Sequence, residues 1–467
     1  MGILLLTLML TGCKIPNFID RTENTAVPEN YGVAADSLNS AELHWRDIFV
    51  DPNLIAMIDT ALSNNQELNM MLQEIKFSQS EILTRKGELL PSVDAQIGSG
   101  VEKVGRYTSQ GANDANTEIM PGVEFPEALP DFLVAANASW EIDIWRKLRN
   151  SRDAATSRYL ASLEGRNFMV TQLVAEITET YYELMAADMK LELLKQNLEI
   201  QKNALEIVKK QKNAARVTEL AVKKFQAEVY KNQSRQYYIE QEIIETENHL
   251  NFLLGRFSQP IPRDAKLFNL TIPDTIYAGV PSQLLENRTD IRQAELALKA
   301  AKLDVKAAKA EFYPSLRITA GVGFQAFNPK YLINTPQSLL YNVAGDLVAP
   351  LINRNAIKAQ YAAASSKQIQ AIYNYEQKIL NGFLEVNNKI SEIQNLRQSY
   401  EFKEKEVDAL TESVAISTSL FASARADYME VLLTQRDALE AKFELVETKM
   451  QQMHALVGMY RSLGGGW

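Results

Sequence analysis

Four stretches of the chain alternate between apolar and polar residues, which is the pattern of a β-strand with one face turned away from water. Their apolar positions are Val93, Ala95, Ile97 and Val101, then Val134, Ala136, Ala138, Trp140 and Ile142, then Leu316, Ile318, Ala320, Val322 and Phe324, and last Tyr341, Val343, Leu347 and Ala349. About ten residues allow a tilted strand to cross a bilayer. Alternation alone does not say whether lipid or protein covers the apolar face, so an amphipathic sheet in a soluble protein is the alternative.

A seven-residue repeat dominates the first half of the chain. Its apolar positions are Val170, Ile177, Leu184, Leu191, Leu198 and Leu205, with Leu173, Ala187, Leu194 and Val208 as companions and Thr180 and Gln201 as polar interruptions. No proline or glycine occurs between Asn167 and Asn251. The repeat predicts a helix from about residue 144 to 211, roughly 100 Å long at 1.5 Å per residue. A long dimeric coiled coil would show the same repeat but would leave the strands unexplained.

The second half of the chain repeats the first. Pro91 and Pro314 are both followed by serine, and each opens an alternating stretch. The order helix, strand, loop, strand, long helix, break, helix is predicted in both halves. We therefore predict a tandem duplication, with repeats at 44–255 and 283–467. The prolines between the repeats predict a linker at 256–282, since proline interrupts both helix and strand.

The first residues predict export and lipidation. Residues 1–12 form an apolar segment that is too short to span a bilayer and is typical of a signal peptide, although no Lys or Arg precedes it. Leu10-Thr11-Gly12-Cys13 resembles a bacterial lipobox, in which cleavage before the cysteine leaves a thiol that carries diacylglycerol. We expect a lipid on Cys13, a lipidated extension at 13–43, and retention in the outer membrane because Lys14, not Asp, follows the cysteine.

Composition argues against several other classes of function. The net charge is −9 and no basic block occurs, which argues against nucleic acid as a partner. Cys13 is the only cysteine, and the three histidines lie far apart in sequence. The sequence contains no Gly-x-Ser-x-Gly, Walker, His-Glu-x-x-His or dinucleotide-binding motif. We therefore expect no enzyme activity, no metal, and no cofactor other than the covalent lipid.

The lipobox and the loops favour lipid as the cover of the apolar strand face. The loops at 106–131 and 328–338 are rich in Asn, Gly, Pro, Thr and Ser, as extracellular loops are. Four strands cannot close a barrel, and an open sheet edge in lipid leaves backbone groups unpaired. Further copies of the chain must then complete the barrel: two copies give eight strands and a filled lumen, whereas three give twelve and a passage.

Three further segments carry a family resemblance: His44–Leu68, Ala278–Lys302 and the terminal Leu463–Trp467. Together with the duplication, they resemble the TolC-type outer-membrane efflux proteins, in their NodT- and OprM-like lipoprotein branch. The resemblance covers nearly the whole chain after Cys13. Within the second segment this chain has Arg288-Thr289-Asp290-Ile291, where the family usually has Arg-Pro-Asp-Ile.

The resemblance implies a mixed α and β fold: a trimeric transmembrane β-barrel with four strands per chain, continued by a long periplasmic α-helical barrel. It implies the outer-membrane channel of a tripartite efflux pump, a passive exit duct for small molecules such as drugs. The implied partners are two further copies in a homotrimer, a periplasmic adaptor, an inner-membrane RND-type transporter and outer-membrane lipid. An exit duct for type I protein secretion and a periplasmic coiled-coil scaffold are the alternatives.

The resemblance also implies a gate at the periplasmic tips, where helix pairs turn near 213–220 and 423–429. The candidate gate residues are Asp427, Tyr428, Arg425, Arg216, Thr218 and Glu219. Asp427 would contribute to an acidic ring that binds cations, and Arg425 and Tyr428 would latch neighbouring helices. The family often has glycine in these turns, where this chain has Ala215 and Ala424.

Overall fold

A computed structural model describes residues 15–16, 21–31, 43–264, 268, 278–352, 354–423 and 425–465. The predicted signal peptide, Cys13 and Ala424 lie outside these residues. The chain divides into two compact units. We call them the strand unit, which includes Lys76–Leu160 and Leu296–Ile372, and the helical unit, which comprises Glu23–Ile75, Ala161–Glu295 and Tyr373–Trp467.

Both halves of the chain contain, in order, a helix, two long strands, a very long helix and a shorter helix, and the first half adds a short helix and a hairpin between its long strands. The helices are α1 (Trp45–Ile48), α2 (Pro52–Asn64), α3 (Gln66–Gly87), α4 (Ser109–Asp114), α5 (Lys147–Asn213), α6 (Glu219–Leu253), α7 (Leu284–Asn287), α8 (Thr289–Ala310), α9 (Asn355–Ala422) and α10 (Tyr428–Leu463). The strands are β1 (Ser92–Glu102), β2 (Glu118–Met120), β3 (Val123–Glu124), β4 (Leu129–Ile142), β5 (Ser315–Ala326) and β6 (Leu339–Val348). Helix α5 has 67 residues and α9 has 68, while α6 has 35 and α10 has 36. The exact limits of the two predicted repeats and of the linker stay a prediction.

The strand unit contains one four-stranded antiparallel sheet, in the order β1-β4-β5-β6. Directly opposed residues share a face of a sheet, so its register decides which side chains lie together. Two adjacent rows across the sheet are Val93, Ala138, Ala320 and Val343, and Asp94, Asn137, Gly321 and Asn342. The apolar alternates of all four strands therefore meet on one face, and the polar alternates meet on the other. The four predicted strands are confirmed, except that β6 ends at Val348 and leaves Ala349 outside the sheet.

The first predicted loop, 106–131, was too long by three residues. Leu129, Pro130 and Asp131 pair with β1 and belong to strand β4, because the antiparallel register with β1 continues to Glu102. The shorter loop is not irregular throughout, since it carries helix α4 and the hairpin of β2 and β3.

The seven-residue repeat lies on helix α5 and forms a core in the helical unit. Ile177 and Leu184 are fully buried, and Leu198 is 2% exposed. The polar interruption Gln201 is also buried, and its side-chain oxygen accepts a hydrogen bond of 2.9 Å from Asn232 on α6. Helix α5 begins at Lys147, not near residue 144, because the Asp143 carboxylate accepts hydrogen bonds from the backbone N–H groups of Leu148 and Arg149.

Arg288 lies in the segment that resembles the family most closely, and its buried charge is held by three partners. Its side chain is only 6% exposed and forms a two-point ion pair with Asp290, at 2.9 and 2.8 Å. The same guanidinium donates to Glu385 on α9 at 2.6 Å and to the backbone oxygen of Ser462 on α10 at 2.9 Å. Burial alone would lower the pKa of Arg288, but the Asp290 and Glu385 carboxylates raise it above its ordinary value, so the charge is kept.

The C-terminal glycine run allows this contact. Gly464 has a φ of +100° and ends α10, and a Cβ at this position would lie 2.6 Å from the backbone oxygen of Asn287 and 3.0 Å from the Cα of Arg288. The end of α10 therefore approaches the Arg288 loop at a distance that only glycine permits. Arg288 thus joins the start of α8 to α9 and to the end of α10.

We predict that Arg288→Ala lowers the free energy of unfolding by about 3–5 kcal/mol per chain, because it leaves Asp290 buried without its partner. Arg46→Ala is the matched control: Arg46 pairs with Asp59 on the surface of the same unit, and loss of an exposed pair costs at most about 1 kcal/mol. Chemical denaturation of both variants measures the difference. Equal stability of the two variants would show that the Arg288 network is not a stabilising centre.

Candidate functional site

The first helical turn connects α5 to α6 through residues 214–218. Its backbone closes as a helix end does, with the N–H of Arg216 donating to the oxygen of Gln211 at 2.9 Å and the N–H of Ala215 donating to Lys212 at 2.9 Å. Ala215 has a φ of +56°, in the left-handed region that favours glycine. This chain therefore makes the turn that the family often makes with glycine, and it does so with an alanine under local strain.

A single ion pair spans the first turn. The Lys212 ammonium at the end of α5 lies 3.0 Å from the Glu219 carboxylate at the start of α6, and Lys223 lies 3.8 Å from the other oxygen. The hydrogen bond from Lys212 and then its charge lower the pKa of Glu219 below its ordinary value. The pair is exposed, so it orients the turn more than it stabilises the fold.

The second turn connects α9 to α10. The N–H of Arg425 donates to the oxygen of Leu420 at 2.8 Å, which matches the bond that Arg216 makes in the first turn. Asp427 occupies the N-cap position of α10, but its side chain makes no capping hydrogen bond. Its carboxylate is exposed and available to a group outside this chain.

The structure places the six predicted gate residues at the two turns but does not join them in one chain. Tyr428 is half-buried and packs against the apolar core of its own unit. The remaining five are exposed: Arg216, Thr218, Glu219, Arg425 and Asp427. Across the described ranges, no hydrogen bond or ion pair connects the side chains of any two of the six.

Two features of the turns were missed in the sequence. Lys212, which pairs with Glu219, was not a candidate, because the two residues are seven apart across a break and the helical pairing rule does not reach so far. The charge difference between the turns was also missed, although counting finds it. Residues 209–224 hold six basic and one acidic side chain, whereas 419–430 hold one basic and two acidic.

The apolar face of the sheet is a second candidate surface. Ile97 is 84% exposed, Val343 is 78% exposed and Tyr341 is 79% exposed, so nothing in the described part of this chain covers them. A contiguous exposed apolar surface of this kind marks contact with a membrane or another protein. The opposite face is polar, and it includes a hydrogen bond of 3.1 Å between the side chains of Gln96 and Asn137.

The described residues contain neither a membrane-spanning helix nor a metal-binding cluster. No helix among them is long and apolar enough to cross a membrane. They also contain no group of three or more His, Cys, Asp or Glu side chains placed to hold a metal ion.

Comparison with known proteins gives a consistent result. The family model described as outer membrane efflux protein matches residues 57–256 and 280–465. The probable outer membrane lipoprotein SilC of Salmonella typhimurium is 26% identical over 447 residues, which cover 94% of this chain and 93% of SilC. The pyoverdine export outer membrane protein OpmQ of Pseudomonas aeruginosa is 26% identical, with 91% and 87% covered. The open state of the MtrE outer membrane channel of Neisseria gonorrhoeae superposes with a TM-score of 0.83 at 22% identity, with 97% and 98% covered, and shows the same fold.

We predict that Ala215→Gly stabilises the first turn by about 1 kcal/mol per chain, because glycine adopts a positive φ without a clash of its Cβ. Ala214→Gly is the matched control: Ala214 is the exposed neighbour without a positive φ, and glycine there costs up to about 1 kcal/mol. Thermal denaturation compares the two variants. Changes of the same sign in both would contradict the strained turn.

Proposed function

The chain belongs to the outer membrane efflux protein family, and we propose that it is the outer-membrane exit duct of a tripartite pump that exports small molecules. Two relatives support the proposal, and each matches this chain along most of its own length. SilC and OpmQ are both named as outer-membrane proteins, and OpmQ is named for the export of pyoverdine. Members of this family are channel proteins, so the energy for export would come from a partner. We assign that role to an inner-membrane RND-type transporter, joined to the duct by a periplasmic adaptor.

The observation that carries the proposal is the sheet with two open edges. In the described chain β1 pairs only with β4, and β6 pairs only with β5, so one edge of each strand has no partner. The number of strands is even and all pairs are antiparallel, so β6 of one copy can pair in the antiparallel sense with β1 of the next. A ring of copies therefore continues the same hydrogen-bond pattern until it closes.

We propose that the ring contains three copies. Three chains supply twelve strands, which leave a passage, whereas the eight strands of two chains would enclose a lumen filled by side chains. The exposed apolar face would then contact lipid. The polar face, with Asp94, Gln96 and Asn137, would line an aqueous lumen.

A lipid on Cys13 would add a second attachment to the outer membrane. SilC, whose match covers 94% of this chain, is named a lipoprotein. Diacylglycerol carries two acyl chains, and two chains are enough to anchor a protein stably in a membrane. The lipid and the closed barrel would therefore both hold the chain in the outer membrane.

The gate would form at the helical turns. In a ring of three copies, acidic second turns would alternate with basic first turns, and opposite charges would attract neighbouring tips. Asp427 is exposed, its side chain makes no capping hydrogen bond, and it stands at the start of α10. Three such carboxylates around one axis would concentrate negative charge and bind cations.

We predict that the purified protein requires detergent, runs as a trimer and conducts ions in a planar bilayer. The expected mass is three times that of one chain, which is 52.5 kDa before loss of the signal peptide, plus bound detergent, measured by light scattering. A water-soluble monomer, or a trimer without conductance, would overturn the proposed duct.

We predict that Asp427→Asn weakens block of the channel by a multivalent cation by roughly tenfold, equivalent to about 1.4 kcal/mol over three carboxylates. Glu412→Gln is the matched control, because it removes an exposed carboxylate from α9 away from the turn. Single-channel recordings at several magnesium concentrations measure the block. If both variants are blocked as strongly as the unaltered protein, Asp427 is not part of the gate.

A further inference from the structure

A cavity lies where the strands and helices of the strand unit meet. Strand β4 ends at Ile142 and helix α5 begins at Lys147; helix α8 ends at Ala310 and strand β5 begins at Ser315. Trp145 and Tyr313 lie in these two connections and line a cavity of about 450 Å³. This volume falls within the range of roughly 300–1,000 Å³ that small-molecule sites occupy.

The two aromatic rings hold one wall of the cavity in place. Trp145 and Tyr313 stack with their ring centroids 4.7 Å apart and their planes inclined by 24°. The indole N–H of Trp145 donates a hydrogen bond of 2.8 Å to the backbone oxygen of Pro314, yet the side chain is 47% exposed. An amphipathic ring with its N–H satisfied and its apolar body exposed is typical of a membrane–water interface.

Three cationic side chains line the same cavity. They are Arg146, Lys306 and Lys309, all of them exposed. Arg146 has a φ of +60°, so its position next to Trp145 is held in a conformation that glycine would adopt more readily. Within the described residues, none of the three forms an ion pair.

The cavity has no free negative charge to balance these cations. Its single carboxylate, Asp153, is paired at 2.6 Å with Arg152, which lies outside the lining. The lining therefore presents an excess of positive charge beside stacked aromatic rings. This combination fits a phosphate group attached to an apolar molecule.

We propose that this cavity binds the phosphate headgroup of an anionic phospholipid, such as phosphatidylglycerol, from the periplasmic leaflet of the outer membrane. The proposal rests on the proposed function, because it requires the apolar sheet face to contact lipid. The apolar face ends beside the cavity: Trp140, on that face, is only five residues before Trp145. Acyl chains lying on the sheet would therefore place their headgroups at the level of Arg146 and the two lysines.

Quenching of Trp145 fluorescence by brominated lipid tests the site in the full-length protein. The protein is reconstituted into phosphatidylcholine nanodiscs that contain brominated phosphatidylglycerol or brominated phosphatidylcholine. The fluorescence of Trp145 is obtained by subtracting the emission of the Trp145→Phe variant from the emission of this protein. We expect brominated phosphatidylglycerol to quench Trp145 at a mole fraction at least about tenfold lower than brominated phosphatidylcholine, since each cation near a membrane surface contributes a several-fold preference.

The test variant is Arg146→Gly, Lys306→Gln and Lys309→Gln combined. Glycine suits the positive φ of residue 146, and both lysines are exposed on α8, so the variant retains the fold while losing three charges. The matched control is Lys299→Gln with Lys358→Gln, which removes two exposed lysines of the same unit that do not line the cavity. The preference for phosphatidylglycerol should disappear in the test variant and persist in the control.

Three results would overturn the proposal. The first is equal quenching by the two lipids in the unaltered protein, or a preference that survives in the test variant. The second is loss of the preference when millimolar inorganic phosphate is added, which would assign the cavity to a soluble anion. The third is dissociation of the trimer in the test variant together with loss of the preference, which would identify a contact between copies. Failure of the unaltered protein to insert into lipid would instead contradict the proposed outer-membrane duct.

Discussion

Backbone hydrogen bonding along the two open edges of the sheet is the constraint on which the rest of this structure depends. In hydrocarbon each unpaired N–H or C=O costs several kcal/mol, and the described chain leaves such groups along β1 and β6. Side-chain chemistry cannot remove this cost, because it belongs to the backbone. The proposed association of identical chains would remove it, since an even number of antiparallel strands repeats without a change of direction. The four-stranded sheet of one chain would thus be completed by its neighbours in the proposed ring.

The two units meet different physical demands. The strand unit separates apolar from polar side chains by face, with alternate residues of each strand on opposite sides. The helical unit buries a seven-residue repeat and neutralises the charges that it buries, most clearly at Arg288 with Asp290 and Glu385. The proposed gate would need the opposite arrangement. The two helical turns are exposed, and the first is locally strained at Ala215 and weakly paired at Glu219, which leaves little energy to oppose rearrangement.

Most of the fold could be predicted from the sequence, because the strands show a two-residue alternation and the long helix shows a seven-residue repeat. Alternation located the four strands, and the repeat from Val170 to Leu205 located the core of α5. Positions near the ends of elements were less accurate. Helix α5 begins three residues after the prediction because the Asp143 carboxylate caps it, and β4 begins inside a predicted loop because β1 extends its register. Both differences arise from contacts between segments that periodicity does not contain.

The sequence by itself determined which faces are apolar, that the chain is duplicated and which segments turn, because these properties depend on the order of residues along the chain. Only the tertiary structure decided that β4 pairs with β5, that Arg288 reaches Asp290, Glu385 and Ser462, and that Lys212 faces Glu219. It also brought Trp145 and Tyr313, 168 residues apart, into one stacked pair beside three cations. The reason is physical: distances between remote residues are set by the closing of the backbone and the packing of side chains, and a linear pattern holds no record of either.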